Sequence, residues 1–98
     1  MKIVLFALLT ATNVYALCLT DQAQVSATVL SVMDTGNECL YEVEVGENSP
    51  HALCALSSST IESHLISERN NGSCTYQQYD QFLRVLVHDK QNDTIYLD

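Results

Sequence analysis

The sequence predicts a small, mainly β domain that contains one short helix and is held together by two disulfide bonds. β-branched and aromatic residues are concentrated in five short stretches, and turn-forming residues separate most of them. A helix-capping pattern followed by apolar residues at helical spacing occurs once. The chain of 98 residues contains four cysteines, an even number that is typical of a disulfide-bonded exported domain.

The first 16 residues have the composition of a cleaved secretory signal. A basic start at Lys2 is followed by a continuous apolar run over residues 3–9, and the segment ends with the small residue Ala16. The run is far shorter than the roughly 20 residues that span a bilayer. We therefore expect a signal peptide over residues 1–16 and a single secreted or periplasmic domain over residues 17–98. The alternative is that residues 3–9 form a first core strand.

All four cysteines lie beyond the expected cleavage point, at Cys18, Cys39, Cys54 and Cys74. Four cysteines allow three pairings, and spacing alone does not select one. If the second and third predicted strands form a hairpin, Cys39 and Cys54 face each other across it. That pair is therefore the one we expect first.

The first two stretches predict a long irregular strand and a regular one. Residues 24–33 alternate imperfectly, which indicates a bulge near Val29 and Leu30. Residues 38–45 alternate cleanly between an apolar and a mostly acidic face. The inward residues are Cys39, Tyr41, Val43 and Val45. The outward residues are Glu38, Leu40, Glu42 and Glu44.

The remaining chain predicts a turn, a third strand, a helix and two further strands. The turn covers residues 46–50 and the third strand residues 51–56. Ser59 and Glu62 match a capping box, so we expect a helix over residues 59–68. The last two strands are expected over residues 82–88, with Leu83, Val85 and Val87 inward, and over residues 94–97.

This order of elements resembles the layout of the five-stranded oligonucleotide/oligosaccharide-binding (OB) barrel, in which a long coiled strand comes first. The resemblance is one of layout, and no sequence motif accompanies it. A small OB-like barrel is the expected fold. A different β-sandwich and a mixed α+β sheet with a helix on one face are the alternatives. An immunoglobulin-like sandwich is disfavoured, because it needs about seven strands and a buried Trp, and this chain has no Trp.

The charge of the chain limits its partners. Without Lys2, three basic side chains (Arg69, Arg84 and Lys90) stand against 12 acidic ones, which gives a net charge of −9. Nucleic acids and anionic membrane surfaces are therefore disfavoured as partners. We expect the partner to be a protein or a small ligand, and a cationic one would be attracted. The sequence does not determine the oligomeric state.

No set of catalytic or metal-binding residues emerges from the spacing. The histidines are His51, His64 and His88, but zinc sites usually draw on two close pairs of ligands, and only His51 and Cys54 are close. The serines at 57–59 lack a G-x-S-x-G context and fit a helix cap better. We therefore expect no catalytic residue, no metal site and no cofactor.

Two weaker patterns do not change this expectation. A ribonuclease-like site from His51, Glu42, His88 and Arg84 would have few cations to hold a phosphate. The alternating residues Asp89, Gln91 and Asp93 lack the glycine and closing glutamate of a calcium loop.

The expected binding surface is the outer face of the second and third strands, including Leu40, Glu42 and Glu44. Tyr76 and Tyr79 cluster with Phe82 and either join a binding surface or cover the core. Asn71 and Asn92 begin two N-glycosylation sequons in predicted loops. The expected function is that of an exported, non-enzymatic binding protein. The alternatives are a small secreted hydrolase that resembles a ribonuclease and a host-directed toxin or effector.

Overall fold

The structure is a computed structural model that describes residues 18–98. The expected signal peptide at residues 1–16 lies outside this part of the chain. Among the described residues, no helix has the length and apolar character that crossing a membrane requires.

Five strands close into a barrel, and one short helix lies between the second and third strands. The elements are β1 (Thr20–Asp34), β2 (Glu38–Pro50), α1 (Ser58–Glu62), β3 (Ile66–Arg69), β4 (Gln81–Asp89) and β5 (Thr94–Leu97). Around the barrel the order is β1-β2-β3-β5-β4, and β4 returns to β1. All pairs are antiparallel except β3 with β5. The predicted small OB-like barrel is thereby confirmed, and the sandwich and the α+β sheet are excluded.

The long first strand pairs with other strands along both of its edges. It contacts β2 along one edge and β4 along the other. Its register with β2 shifts between Val29 and Ser31, which leaves Leu30 unpaired and partly exposed. The predicted bulge near Val29 and Leu30 is confirmed, and it explains why the apolar alternation changes phase at that point.

The predicted turn at residues 46–50 is wrong, because β2 continues to Pro50. A second register shift absorbs Gly46 as a bulge, and Ser26 Oγ then accepts a hydrogen bond from the Glu47 N–H at 2.9 Å. A Cβ at Gly46 would lie 3.2 Å from Ser26 Oγ, so the close approach favours glycine. The glycine that suggested a turn at this point in the sequence therefore forms a bulge within β2.

The predicted third strand at residues 51–56 is also wrong. This segment is a loop that attaches to one residue of β1, where Gln22 exchanges backbone hydrogen bonds with His51, Cys54 and Leu56. The actual third strand, β3, begins within the predicted helix and ends one residue beyond it. Ile66 is buried there between Tyr41 of β2 and Ile95 of β5. Burial of this residue in a sheet outweighs the helical spacing, because a short helix is only marginally stable.

The helix begins earlier and is shorter than the predicted one over residues 59–68. Ser57 is its N-cap and accepts a hydrogen bond from the Thr60 N–H at 3.3 Å. Glu62 does not complete a capping box at Ser59, because its carboxylate accepts the Val45 N–H of β2 at 2.8 Å. Ile61 is fully buried and anchors the helix in the core.

The core fills the barrel from all five strands and the helix. The inward faces of β1 and β2 are as predicted. On β4 the prediction is correct for Val87, which is buried, and wrong for Leu83, because the barrel core takes Phe82 and Leu86 instead. Phe82 and Leu86 are buried, while Leu83 is 64% exposed. Arg84 shares the face of Phe82 and Leu86, and its guanidinium donates to Tyr76 and to the Asp98 carbonyl oxygen. Because Arg84 lies on this face, the face appears polar in the sequence, although the long side chain carries its charge away from the core.

The protein has two disulfides. Cys39–Cys74 joins β2 to the loop before β4, and Cys18–Cys54 joins the segment before β1 to the loop after β2. The expected pairing of Cys39 with Cys54 is wrong, since residues 51–56 do not form a strand beside β2. Two disulfides indicate an oxidising compartment, extracellular or periplasmic.

Candidate functional site

Two histidines and an aspartate meet at one end of the barrel. His88 lies near the end of β4, Asp93 lies in the turn that precedes β5, and His64 lies just before β3. Because β3 and β5 are parallel neighbours, the residues that precede them lie at the same end of the barrel. The fold therefore brings together three side chains that are separated by up to 29 residues along the chain.

Both imidazoles approach the same oxygen. His64 Nε2 and His88 Nε2 each lie 2.8 Å from Asp93 Oδ1. The two rings are in edge-to-face contact, with centroids 5.2 Å apart. The side chain of His88 is 11% exposed and that of His64 is 23% exposed, whereas that of Asp93 is 70% exposed. The cluster is thus buried on the histidine side and open on the carboxylate side.

The other nitrogen of His64 is also engaged. Nδ1 donates to the carbonyl oxygen of Thr60 at 2.7 Å and lies 3.0 Å from Ser63 Oγ. The hydrogen bond with Asp93 and that with Thr60 raise the pKa of His64 above its usual value of 6.5. In turn, the hydrogen bonds from His88 and His64 lower the pKa of Asp93. The cluster therefore favours a positive charge next to the carboxylate.

A groove begins at this cluster and runs over the outer face of β2, β3 and β5. Its volume is about 430 Å³. Besides His64 and Asp93, its lining includes Glu38, Leu40, Leu65, Ser67 and Tyr96. Leu65 is 48% exposed and Tyr96 is 38% exposed, so apolar surface faces solvent in the groove.

The acidic face lies next to this groove and consists of Glu42, Glu44 and Glu62. Glu42 and Glu44 point outward from β2 and pair across the sheet with the neutral residues Ser31 and Thr28. Glu62 reaches the same part of β2 through the Val45 N–H. Within residues 18–98, Lys90 with Asp21 is the one ion pair that involves Lys or Arg. The acidic face therefore carries negative charge that no cation of the described chain neutralises.

The structure separates the residues of the predicted binding surface. Leu40, Glu42 and Glu44 lie on the outer face of β2, as expected from their alternation. Tyr76 packs against the core, with its ring 5.7 Å from that of Tyr41. Tyr79 is 72% exposed and has a positive φ of 73°.

The other candidate residues occupy structural positions. His51 Nδ1 accepts hydrogen bonds from the N–H groups of Leu53 and Cys54, so it caps the loop rather than joining the cluster. The serines at 57–59 form the helix start. Asn71 and Asn92 are exposed in loops, where their sequons are accessible.

Sequence reasoning missed the cluster because its members come from three separate elements. One signal was present: His88 lies just before the tight turn between β4 and β5, and Asp93 lies at the end of that turn, so their side chains can meet. The approach of His64 depends on the parallel pairing of β3 and β5, which cannot be deduced once β3 is assigned to a helix.

Comparisons with protein-family models, curated proteins and solved structures found no match to this chain. Its function therefore has to be inferred from the geometry and charge of its own residues.

Proposed function

We propose that this protein is an exported, non-enzymatic binding module that takes up an extended basic segment of a partner protein. The segment would lie in the groove and extend over the acidic face. One observation carries the proposal: an unneutralised acidic face lies next to a groove with exposed apolar side chains. Within residues 18–98, no Lys or Arg forms an ion pair with Glu42, Glu44 or Glu62.

The groove supplies the apolar part of the interaction. Leu40 of β2, Ser67 of β3 and Tyr96 of β5 lie in one row across three neighbouring strands. In barrels of this layout, the outer face of the second and third strands and the loop between the fourth and fifth are common ligand surfaces. An extended chain could place alternate side chains against Leu40 and Tyr96.

The acidic face supplies the electrostatic part. Opposite charge raises the rate of encounter and selects against acidic partners. Nucleic acid is disfavoured as a partner, because a net charge of −9 after signal cleavage repels phosphates.

Export is part of the proposal. The expected signal peptide over residues 1–16 supports it, and the two disulfides point to an oxidising compartment.

A defined peptide tests the binding mode. A fluorescent octapeptide of alternating Lys and Leu is titrated with the secreted protein, and its anisotropy is measured in 20 mM and in 200 mM NaCl. We expect binding that weakens with salt, and no binding of the matching Glu-Leu peptide. The variant Glu42→Gln/Glu44→Gln should weaken binding about tenfold, since two exposed ion pairs contribute roughly 1–2 kcal/mol together.

The matched control is Gln77→Lys/Gln78→Lys, which changes the net charge by the same two units at exposed positions outside the groove. If the two double variants bind equally weakly, only the overall charge matters and the proposed surface is wrong. Absence of Lys-Leu binding at millimolar protein also contradicts the proposal.

A small secreted hydrolase is the second candidate, and the cluster of His64, His88 and Asp93 is the observation in its favour. Ser63 is an unsuitable nucleophile, because its hydroxyl donates to the Thr60 carbonyl oxygen at 2.9 Å. A screen against RNA, glycans and peptides decides between the candidates. Activity that disappears in His64→Ala and His88→Ala would favour the hydrolase, and inactivity on all three substrates would favour the binding module.

A further inference from the structure

We propose that His64, His88 and Asp93 form a binding site for one divalent transition-metal ion of the zinc type. The two Nε2 atoms and a carboxylate oxygen would be the ligands, and a fourth position would remain open toward the groove. This inference does not rest on the proposed binding of a basic segment, although the two sites share His64 and Asp93.

The three ligand atoms have the spacing that an ion requires. All of them lie within 4.8 Å of one another. Zinc binds imidazole nitrogen at about 2.0–2.1 Å and carboxylate oxygen at about 2.0–2.2 Å, so neighbouring ligands of a tetrahedral site are about 3.4 Å apart. The two distances of 2.8 Å from the histidines to Asp93 would have to lengthen by about 0.6 Å. Asp93 lies in an exposed turn and can make this small movement.

The hydrogen bonds of His64 require a proton or a metal ion between its Nε2 and Asp93. Its Nδ1 donates to the Thr60 carbonyl oxygen, and a neutral imidazole that donates from Nδ1 has a lone pair on Nε2. In the neutral form, that lone pair would face the carboxylate of Asp93 at 2.8 Å. Two acceptors at this distance repel each other unless a proton or a metal ion lies between them.

The same hydrogen bond is the support that metal-binding histidines usually have. A histidine that binds a metal through one nitrogen commonly donates from the other nitrogen to a backbone carbonyl or a carboxylate, which fixes the ring. Thr60, in the last turn of α1, provides this acceptor for His64. His64 is thus held in the orientation and tautomer in which Nε2 can coordinate.

The ligand set favours zinc, copper or nickel over calcium or magnesium, which prefer oxygen ligands alone. No Lys or Arg among the described residues lies within ion-pair distance of Asp93 to compete with the ion. A second group of potential ligands, Asp34 with Cys39 and Cys74, is unsuitable because both cysteines are in a disulfide.

The open position would face the groove. His64 and Asp93 both line the groove, whereas His88 lies deeper. Three protein ligands and one exchangeable position are typical of zinc sites that bind a further ligand.

The test is a metal titration of the secreted protein with both disulfides intact. After treatment with EDTA and dialysis, ZnCl₂ is added in a calorimeter, and CoCl₂ is added in a parallel optical titration. We expect one equivalent of Zn²⁺ to bind, and Co²⁺ to give the visible absorption of a four-coordinate site. CaCl₂ and MgCl₂ should give no signal at the same concentrations.

Three variants locate the site. Asp93→Asn preserves the shape of the side chain and should weaken Zn²⁺ binding at least tenfold, and His64→Ala/His88→Ala should abolish it. His51→Ala is the matched control, since this histidine lies outside the cluster, and it should bind as the wild-type protein does. Circular dichroism verifies that each variant is folded.

Three results would overturn the proposal. They are a stoichiometry of zero for the wild-type protein, unchanged affinity in the folded Asp93→Asn variant, and equal loss of affinity in His51→Ala. The last result would mean that Zn²⁺ binds to surface histidines without a defined site.

Discussion

Removal of the Cys39–Cys74 disulfide should cost a large part of the stability of this domain, at least about a third of it. The bond joins residues 35 apart in sequence. The chain-entropy relation gives a stabilisation of about 4 kcal/mol for a loop of that length. Small domains of this size have a total free energy of unfolding of about 4–12 kcal/mol. The variant Cys39→Ala/Cys74→Ala should therefore be marginally folded or unfolded at 37 °C.

The second disulfide provides a control of nearly identical loop length. Cys18–Cys54 joins residues 36 apart, so the entropic contributions of the two bonds are equal. Their surroundings differ, because Cys39 is fully buried in the core and both Cys18 and Cys54 are partly exposed. Truncation at Cys39 also leaves a cavity. Cys39→Ala/Cys74→Ala should consequently be less stable than Cys18→Ala/Cys54→Ala by about 1 kcal/mol.

Urea unfolding of both double variants, followed by circular dichroism, measures these differences. Alanine removes the thiols, so mispaired disulfides cannot contribute. If both variants lose less than 1 kcal/mol, the disulfides do not stabilise this barrel by restricting the unfolded chain. If Cys18→Ala/Cys54→Ala is the less stable of the two, the cavity left at Cys39 does not add the expected destabilisation.

Three further predictions concern single residues. Tyr41→Phe should lower the free energy of unfolding by about 1–3 kcal/mol in urea unfolding, because the Tyr41 hydroxyl donates to Glu68 at 2.7 Å in a partly buried site; a loss below 0.5 kcal/mol would contradict this. Gly72→Ala should cost about 1–2 kcal/mol, since Gly72 has a φ of +125° and a left-handed backbone strains an L-residue; an unchanged urea midpoint would refute it. Titration of metal-free protein by NMR should give a pKa for His64 above 6.5 that falls toward 6.5 in Asp93→Asn; an unaltered titration in the variant would show that the carboxylate is not the cause.

Glu68 is one carboxylate that should make the domain less stable in acid. Burial alone would raise the pKa of this carboxyl, but the hydrogen bonds from Tyr41 and Thr75 and the charge of Arg84 outweigh burial and lower it. A depressed pKa means that the stabilisation is complete above the ordinary value of 4.5 and is lost as the pH falls through the folded value. Tyr41 has its own pKa raised to about 12, chiefly by burial, so it remains a donor throughout.

Local patterns in the sequence were sufficient for much of the barrel. The alternation of residues 38–45 specified the inward face of β2, and the change of phase in β1 located the bulge at Leu30. These features depend on neighbouring residues alone. Assignments that required long-range information failed: Ile66 looks helical beside Ile61, and only its burial between β2 and β5 makes it a strand residue.

In the candidate site, too, local sequence patterns predict some positions, and long-range contacts determine the others. The outward positions of Glu42 and Glu44 follow from alternation within one strand. His64 and Asp93 have no relation in the sequence, and their contact arises only from closure of the barrel. The position of Arg84 on the inward face was missed because a charged residue in a strand is normally assigned to solvent.

Closure of the barrel also makes the groove and the proposed metal site interdependent. His64 and Asp93 belong to both, since they line the groove and hold the cluster. A bound Zn²⁺ would place two positive charges beside a surface that is proposed to take a basic segment, so each ligand should weaken the other. Linkage requires that the factor by which Zn²⁺ lowers the affinity for the Lys-Leu peptide equals the factor by which the peptide lowers the affinity for Zn²⁺. Peptide titrations with and without saturating Zn²⁺, and the reverse titrations, measure both factors. Equal affinities with and without the ion would mean that the two sites do not share these residues, even if each binds its ligand.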